Sequence, residues 1–178
     1  MAGSQWLERA LRSELSQGDI FEGLPFCTPA VPVTHLSKGQ AKGAAVAWIP
    51  SAPPQSAPRH QPSYALVAYR IGCGIVVSHD CAIDKPNKNT RVLCAPIAPI
   101  TQLDPRTQDS VRQRGNFGLM HLPEVPGIGE AYADFRSITA FRHDILTQVR
   151  QVASLTDFGR GQLGDALVGF FVLRQRPP

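Results

Sequence analysis

The sequence predicts a mostly β protein, a small barrel or strongly curled sheet with a helix at each end. Three observations carry that expectation. Several short segments are rich in β-branched and aromatic residues and are bounded by Gly, Pro, Asn or Asp. Helical spacing of apolar residues is confined to the two ends of the chain. Long helical patterns do not alternate with the strand-like segments, as a doubly wound parallel sheet requires.

Each element follows from local pattern. Residues 5–16 place Trp6, Leu7, Ala10, Leu11 and Leu15 on one side at helical spacing, with Ser4 as cap and Glu8/Arg12 as an i,i+4 pair. Gln17-Gly18-Asp19 ends that helix, and Asp19-Ile20-Phe21 opens a short strand. Residues 31–33 and 44–49 are expected as strands, paired across a turn at 37–43. PSAPPQSAPRHQP (50–62) is proline-rich with almost nothing to bury, so it reads as a loop of polyproline character. SYALVAY (63–69) and CGIVVS (73–78) are strands. DKPNKNT (84–90) is a turn or loop. RVLCAPIAPI (91–100) is a further strand, and its Pro96 and Pro99 suit an edge or a bend better than a sheet centre. The polar stretch TQLDPRTQDSVRQRG then leads as a loop into NFGLMHLPEV (116–125) and EAYADFRSITAF (130–141), both strand-like. HDILTQVRQVASL is a turn or short helix. Residues 157–173 carry Phe158, Leu163, Ala166, Leu167, Phe170 and Phe171 at the spacing of a terminal helix.

Composition narrows the function classes. The 178 residues are 43% apolar and 18% charged, which suits one folded domain spanning 1–178. A net charge of +4 permits an anionic partner without demanding one. No apolar run reaches the roughly 18–20 residues of a membrane span, and the amino terminus lacks a signal-peptide core. A cytoplasmic protein with no membrane partner is the expectation. Four cysteines without a CxxC pair are expected as free thiols or ligands.

The most particular stretch is GIVVSHDCAID (74–84), where an apolar strand stops on Ser78-His79-Asp80-Cys81. A regular strand puts Cys73, Ile75, Val77, His79 and Cys81 on one face, and a turn at its polar end breaks that parity. Three readings stay open. Cys81 is a nucleophile activated by His79, with Asp80 or Asp84 as orienting carboxylate. Alternatively, His79 and Cys81 ligate zinc together with Cys73 and Cys94, since zinc takes N and S ligands tetrahedrally. In the third, Cys73 and Cys94 are small buried hydrophobes, and His79 and Asp80 satisfy the backbone of the next loop.

Basic residues offer a second feature. Lys85, Lys88 and Arg91 bracket the loop after SHDC, Arg112 and Arg114 precede Phe117, and Arg136 and Arg142 follow. Arginine grips phosphate bidentately, and Phe117 or Tyr132 is placed to stack a base. Interspersed Asp104, Asp109, Asp134 and Asp144 equally describe a solvated surface of mixed charge.

The order of QGDIF (17–21), GIVVS (74–78), RVLCAPIAPI (91–100), FGLMHLP (117–123), YADFRSIT (132–139) and SLTDFGRGQLGDALVGFF (154–171) resembles the MazF/PemK toxin-like family. That resemblance implies a small SH3-like barrel with a carboxy-terminal helix, in which residues 23–62 are an insertion where the family has a short loop. It points to Thr101 at the end of APIAPIT and to Arg70 before the second strand. The family's RP dipeptide is absent there, and SHDCAID is foreign to the toxins. The function implied is nucleic-acid binding with metal-independent cleavage of RNA: His79 as base, Arg91 or Arg112 on the pentavalent phosphate, and Asp80 and Cys81 in support. The alternatives are a protein-binding module or self-dimer using the proline-rich stretch 50–62 and the apolar carboxy-terminal helix, and a cysteine-dependent or zinc enzyme acting on a small molecule.

Overall fold

The computed structural model describes residues 5–8, 14–27, 34–38, 48–51, 64–66, 69–83 and 90–173. Two compact units divide the chain, residues 27–70 forming one and the segments before and after them the other. The smaller unit holds a three-stranded antiparallel sheet of order β4-β3-β5, made of β3 (Thr34–Lys38), β4 (Trp48–Ser51) and β5 (Tyr64–Leu66). Lys38 faces Trp48 and His35 faces Ser51, so a hairpin forms in this region from strands displaced from the expected 31–33 and 44–49. Residues 31–33 lie outside the described residues, as does 52–62 of the proline-rich stretch.

The larger unit is built on one eight-stranded sheet with helices against it, a mixed α/β fold. Its strands are β1 (Leu7–Glu8), β2 (Asp19–Cys27), β6 (Tyr69–Val76), β7 (Arg91–Pro99), β8 (Leu119–Val125), β9 (Gly129–Asp134), β10 (Thr139–Arg142) and β11 (Arg150–Leu155). They run in the order β1-β11-β2-β6-β7-β9-β8, with β10 also on β7. The helices are α1 (Asp80–Ile83), α2 (Pro105–Arg112), α3 (His143–Leu146) and α4 (Asp157–Val168), the last continued by a π turn, Gly169–Leu173. No helix among the described residues is long and apolar enough to cross a membrane.

The expected SH3-like curled barrel is therefore corrected, and with it the MazF/PemK resemblance. The strand path has two ends, β1 and β8, and does not close. Burial gives the physical reason. Neighbouring residues on the central strands feed two separate cores: Ile20, Ile75, Ala95 and Ile97 pack with Leu163 and Phe170, whereas Phe21, Val76, Val92 and Cys94 pack with Phe141 and Leu146. A small closed barrel has one interior; this sheet is buried on both faces.

Four further expectations change. Residues 7–8 form a strand against Leu155 and Ser154, not the start of a helix. The polar stretch before Phe117 contains α2, started by Asp104, whose carboxylate accepts from the Thr107 amide at 3.1 Å, with Pro105 in the first turn. Within HDILTQVRQVASL the second half is strand β11. And β7, expected at an edge, is the most connected strand: β6 lies on one side, and β9 and β10 pair with it as well. β10 pairs with residues 91–94 and β9 with 97–99, separated by the 3-10 turn Phe135–Ser137. Pro96 falls in that gap, where its missing N–H breaks no bond to β9 or β10.

Two glycines shape the cores. Gly23 sits at φ +87°, and on either side of it Phe21 and Leu24 reach the same core, a parity change that a regular strand forbids. Gly159 lets α4 approach β1: a Cβ there would lie 2.8 Å from the Trp6 carbonyl oxygen.

Candidate functional site

SHDC first. The end of β6 meets the loop before β2 and the middle of β7. Ser78 Oγ accepts from the Leu93 amide at 2.7 Å, and Asp80 Oδ1 accepts from the Gln17 amide at 2.6 Å. Gln17 Nε2 donates to the Val77 carbonyl at 3.0 Å, and the Gly18 amide to the Val76 carbonyl at 2.9 Å. Beside this junction Asp19 is fully buried; it accepts from the Ser16 amide at 2.8 Å and from Ser154 Oγ at 2.5 Å. QGD and SHD are thus two halves of one hydrogen-bonded seam, so Ser78 and Asp80 have structural work to do. His79 is exposed at this end, and Arg91 lies two residues before the Leu93 that Ser78 holds. The Cys81 side chain, Asp84, Lys85 and Lys88 lie outside the described residues.

The alternative zinc set is split by the sheet. Cys73 packs against one core and Cys94 is buried in the other. Burial pushes the Cys94 thiol up to about 12, and burial followed by the nearby Glu22 charge raises Cys73. Burial thus disfavours the reactive thiolate at both positions. Among the described residues no group of three or more His, Cys, Asp or Glu side chains is placed to hold a metal ion.

The basic residues divide differently. Arg136 forks onto Asp134 at 2.8 Å through both Nε and Nη2, and its stem packs over Gly118. Arg142 forks onto Asp144, and Arg150 reaches Glu22 at 3.1 Å. Arg112 forks onto Glu130 at 2.8 and 2.9 Å, and His121 Nε2 shares the same carboxylate at 2.9 Å. These cations are already matched by carboxylates. Arg91, His79 and Asp80 sit at the β6–β7 end, while Arg112 belongs to the β8 side of the sheet, so the proposed base and its Arg112 partner come from different places.

Arg114 stands apart. Beyond the end of α2 its amide donates to the Val111 carbonyl at 3.1 Å, and Gly115 closes onto Ser110 at 2.8 Å. Arg114 is the one non-glycine residue at positive φ (58°) among the described residues, a conformation that costs an L-residue about 1–2 kcal/mol. Its guanidinium lies 5.9 Å from the centroid of the Trp6 ring, and among the described residues it makes no ion pair. Trp6 is braced edge-on by Phe158, with 5.4 Å between ring centroids.

Around this pair is a cleft of about 390 Å³, walled by the end of α2, by β8 and by α4. Trp6, Arg114, Asn116, Phe117, His121 and Asp165 supply its chemistry, and Phe117 is 52% exposed. Its volume lies near the lower end of the ~300–1,000 Å³ typical of small-ligand sites. A wider hollow of about 740 Å³ beside the 126–129 turn offers as charged groups only Glu124 and the already paired Arg150. Sequence reasoning had found Arg112, Arg114 and Phe117, but not Trp6, His121 or Glu130, whose neighbours are remote in the chain.

The Arg112–Glu130–His121 cluster props the cleft wall. The Arg112 fork, with a smaller share from His121, holds the Glu130 carboxyl at about 2. Because the folded value is depressed, the stability it contributes is complete above its ordinary value of 4.5 and is lost as pH falls toward 2. The difference in melting temperature between the wild type and Glu130→Gln should therefore be constant at neutral pH and shrink as pH falls from about 4.5 to about 2. A difference that persists unchanged at the acid end means the charge plays no part.

Compared with protein-family models and with curated protein sequences, the chain matches none. The ribonuclease expectation drew on the barrel resemblance and on the basic loop at 85–91; the open sheet removes the first, and Lys85 and Lys88 of the second lie outside the described residues.

Proposed function

We propose that the protein is a binding module whose cleft between α2, β8 and α4 takes a nucleotide unit, either free or within single-stranded nucleic acid. The observation that supports this reading is Arg114, a cation without a carboxylate partner among the described residues, set beside the Trp6 and Phe117 rings in a cleft of one-nucleotide size. A guanidinium suits phosphate and aromatic rings suit bases of any sequence.

Retention of a short single-stranded oligonucleotide, measured against salt, tests this. Arg114→Gly removes the side chain while keeping the left-handed turn, which glycine adopts without strain. It should weaken binding and flatten the slope of log K against log salt by about 0.7, the share of one phosphate contact on a single strand. Equal retention of wild type and variant, or none of either, sinks the proposal.

Val168, Phe171 and Val172 favour a second reading. They are 62%, 53% and 57% exposed at helical spacing, and Phe117 lies against Gly169 next to them. Such an apolar end suits a protein partner or a second copy of the chain. Sedimentation that depends on protein concentration, is insensitive to salt, and is abolished by Phe171→Glu would favour it.

A further inference from the structure

We infer that the face of Trp6 beneath Arg114 is the seat of the base, and that Arg114 is its displaceable cover. This deepens the nucleotide reading and rests on it. Trp6 lines the cleft, yet a guanidinium lies over its ring. The Trp6 carbonyl accepts from the Thr156 amide at 2.9 Å and lies against Gly159, which fixes the backbone, and Phe158 braces the indole edge-on. The cover differs. Arg114 is exposed beyond the helix end, and its guanidinium lies over the ring with no ion pair among the described residues.

Exchange then follows from relative strengths. A cation over a ring at a solvent-facing site is a weak contact, whereas a guanidinium–phosphate fork is charge-assisted and bidentate. A base stacked on an indole also outweighs a solvated cation on it. An arriving nucleotide therefore replaces one weak contact by two stronger ones: phosphate draws Arg114 off the ring, and the base takes the vacated face. Asp165 lines the cleft beside Gln162 and Asn116, and as the carboxylate among its lining residues it suits a base that offers an exocyclic amine. The ligand class is an amino-bearing base linked to phosphate, and the adenosine series provides the probes.

The chain has two tryptophans, so Trp48→Phe leaves Trp6 as the sole indole reporter. Full-length Trp48→Phe protein is titrated with AMP and with adenosine while tryptophan emission is recorded, and binding is measured in parallel by equilibrium dialysis. AMP should quench Trp6 saturably and bind about tenfold more tightly than adenosine, the scale of one charge-assisted contact. Adding Arg114→Gly should erase that preference and let adenosine quench at lower concentration, because its seat is uncovered. If AMP binds by dialysis but leaves Trp6 emission unchanged, or if Arg114→Gly weakens adenosine as much as AMP, the cover is disproved while the nucleotide reading stands. If neither AMP nor the oligonucleotide binds, both fall together.

Discussion

Asp19→Ala is expected to lower the unfolding free energy by about 3–5 kcal/mol, the scale of stranding hydrogen-bonding groups in a protein interior. Asp19 and Ser154 are both fully buried, and the carboxylate takes the Ser154 hydroxyl at 2.5 Å and the Ser16 amide at 2.8 Å. Alanine leaves both donors without that acceptor, and Ser154 is shut off from solvent. Charge alone would argue the other way, because a buried carboxylate is expensive to desolvate. It is the hydrogen bonds that decide the sign. Asp19→Asn keeps one oxygen and should lose roughly half as much. Urea unfolding is the measurement: the midpoint falls and the slope stays the same. A midpoint unchanged in Asp19→Ala would mean that the seam at the end of β6 adds nothing to stability.

Gly74→Val should cost about 3 kcal/mol, and for a domain of this size roughly 6–12 °C in melting temperature. Gly74 is a buried β6 residue opposite Pro96. A Cβ there would lie 2.6 Å from the Phe26 ring and 3.0 Å from Leu24 Cδ1, so the ring must move. It has little room, since it is itself buried and stands edge-on to Phe141 with 5.3 Å between centroids. Replacing glycine in a strand normally gains about 0.5–1 kcal/mol from the unfolded chain. Overpacking outweighs that gain here. Phe26→Leu in the Gly74→Val background should restore part of the loss, because the smaller side chain vacates the overlap. No rescue would place the damage elsewhere.

How far the sequence revealed this fold depended on which signal each element carried. Strands β7 and β8 were legible because their β-branched and apolar residues are bounded by turn formers, whereas β6 was expected at 73–78 instead of 69–76, and β9 and β10 were expected as one segment, 130–141. Helix α2 was missed for the opposite reason: Val111 is its one buried residue, so it has no apolar stripe, and the remaining clue was Asp104-Pro105 as cap and first turn. Residues 5–8 mimicked a helix because Trp6 and Leu7 are apolar whatever they pair with. The barrel expectation failed at a deeper level. Alternation along a strand shows that a face is buried, and adjacent apolar residues such as Ile75 and Val76 show that both are, but neither shows whether the sheet closes. For the candidate site, sequence isolated Arg112, Arg114 and Phe117 by charge and aromaticity. Trp6, which completes the cleft, comes from the other end of the chain, and no local pattern announces such a meeting. The same holds for SHDC, whose polar character was plain while its partner Gln17 was not.

The seam also has a consequence in time. Ser154 and Asp19 are 135 positions apart, and β11 is the strand to which both β1 and β2 pair. Two early strands therefore wait for a late one, and closing so long a loop is paid in entropy before any of these contacts returns it. During synthesis, the edge of β2 that will meet β11 has no partner from β11 until residue 155 has emerged. That open edge is where a competing strand has room to pair before β11 arrives.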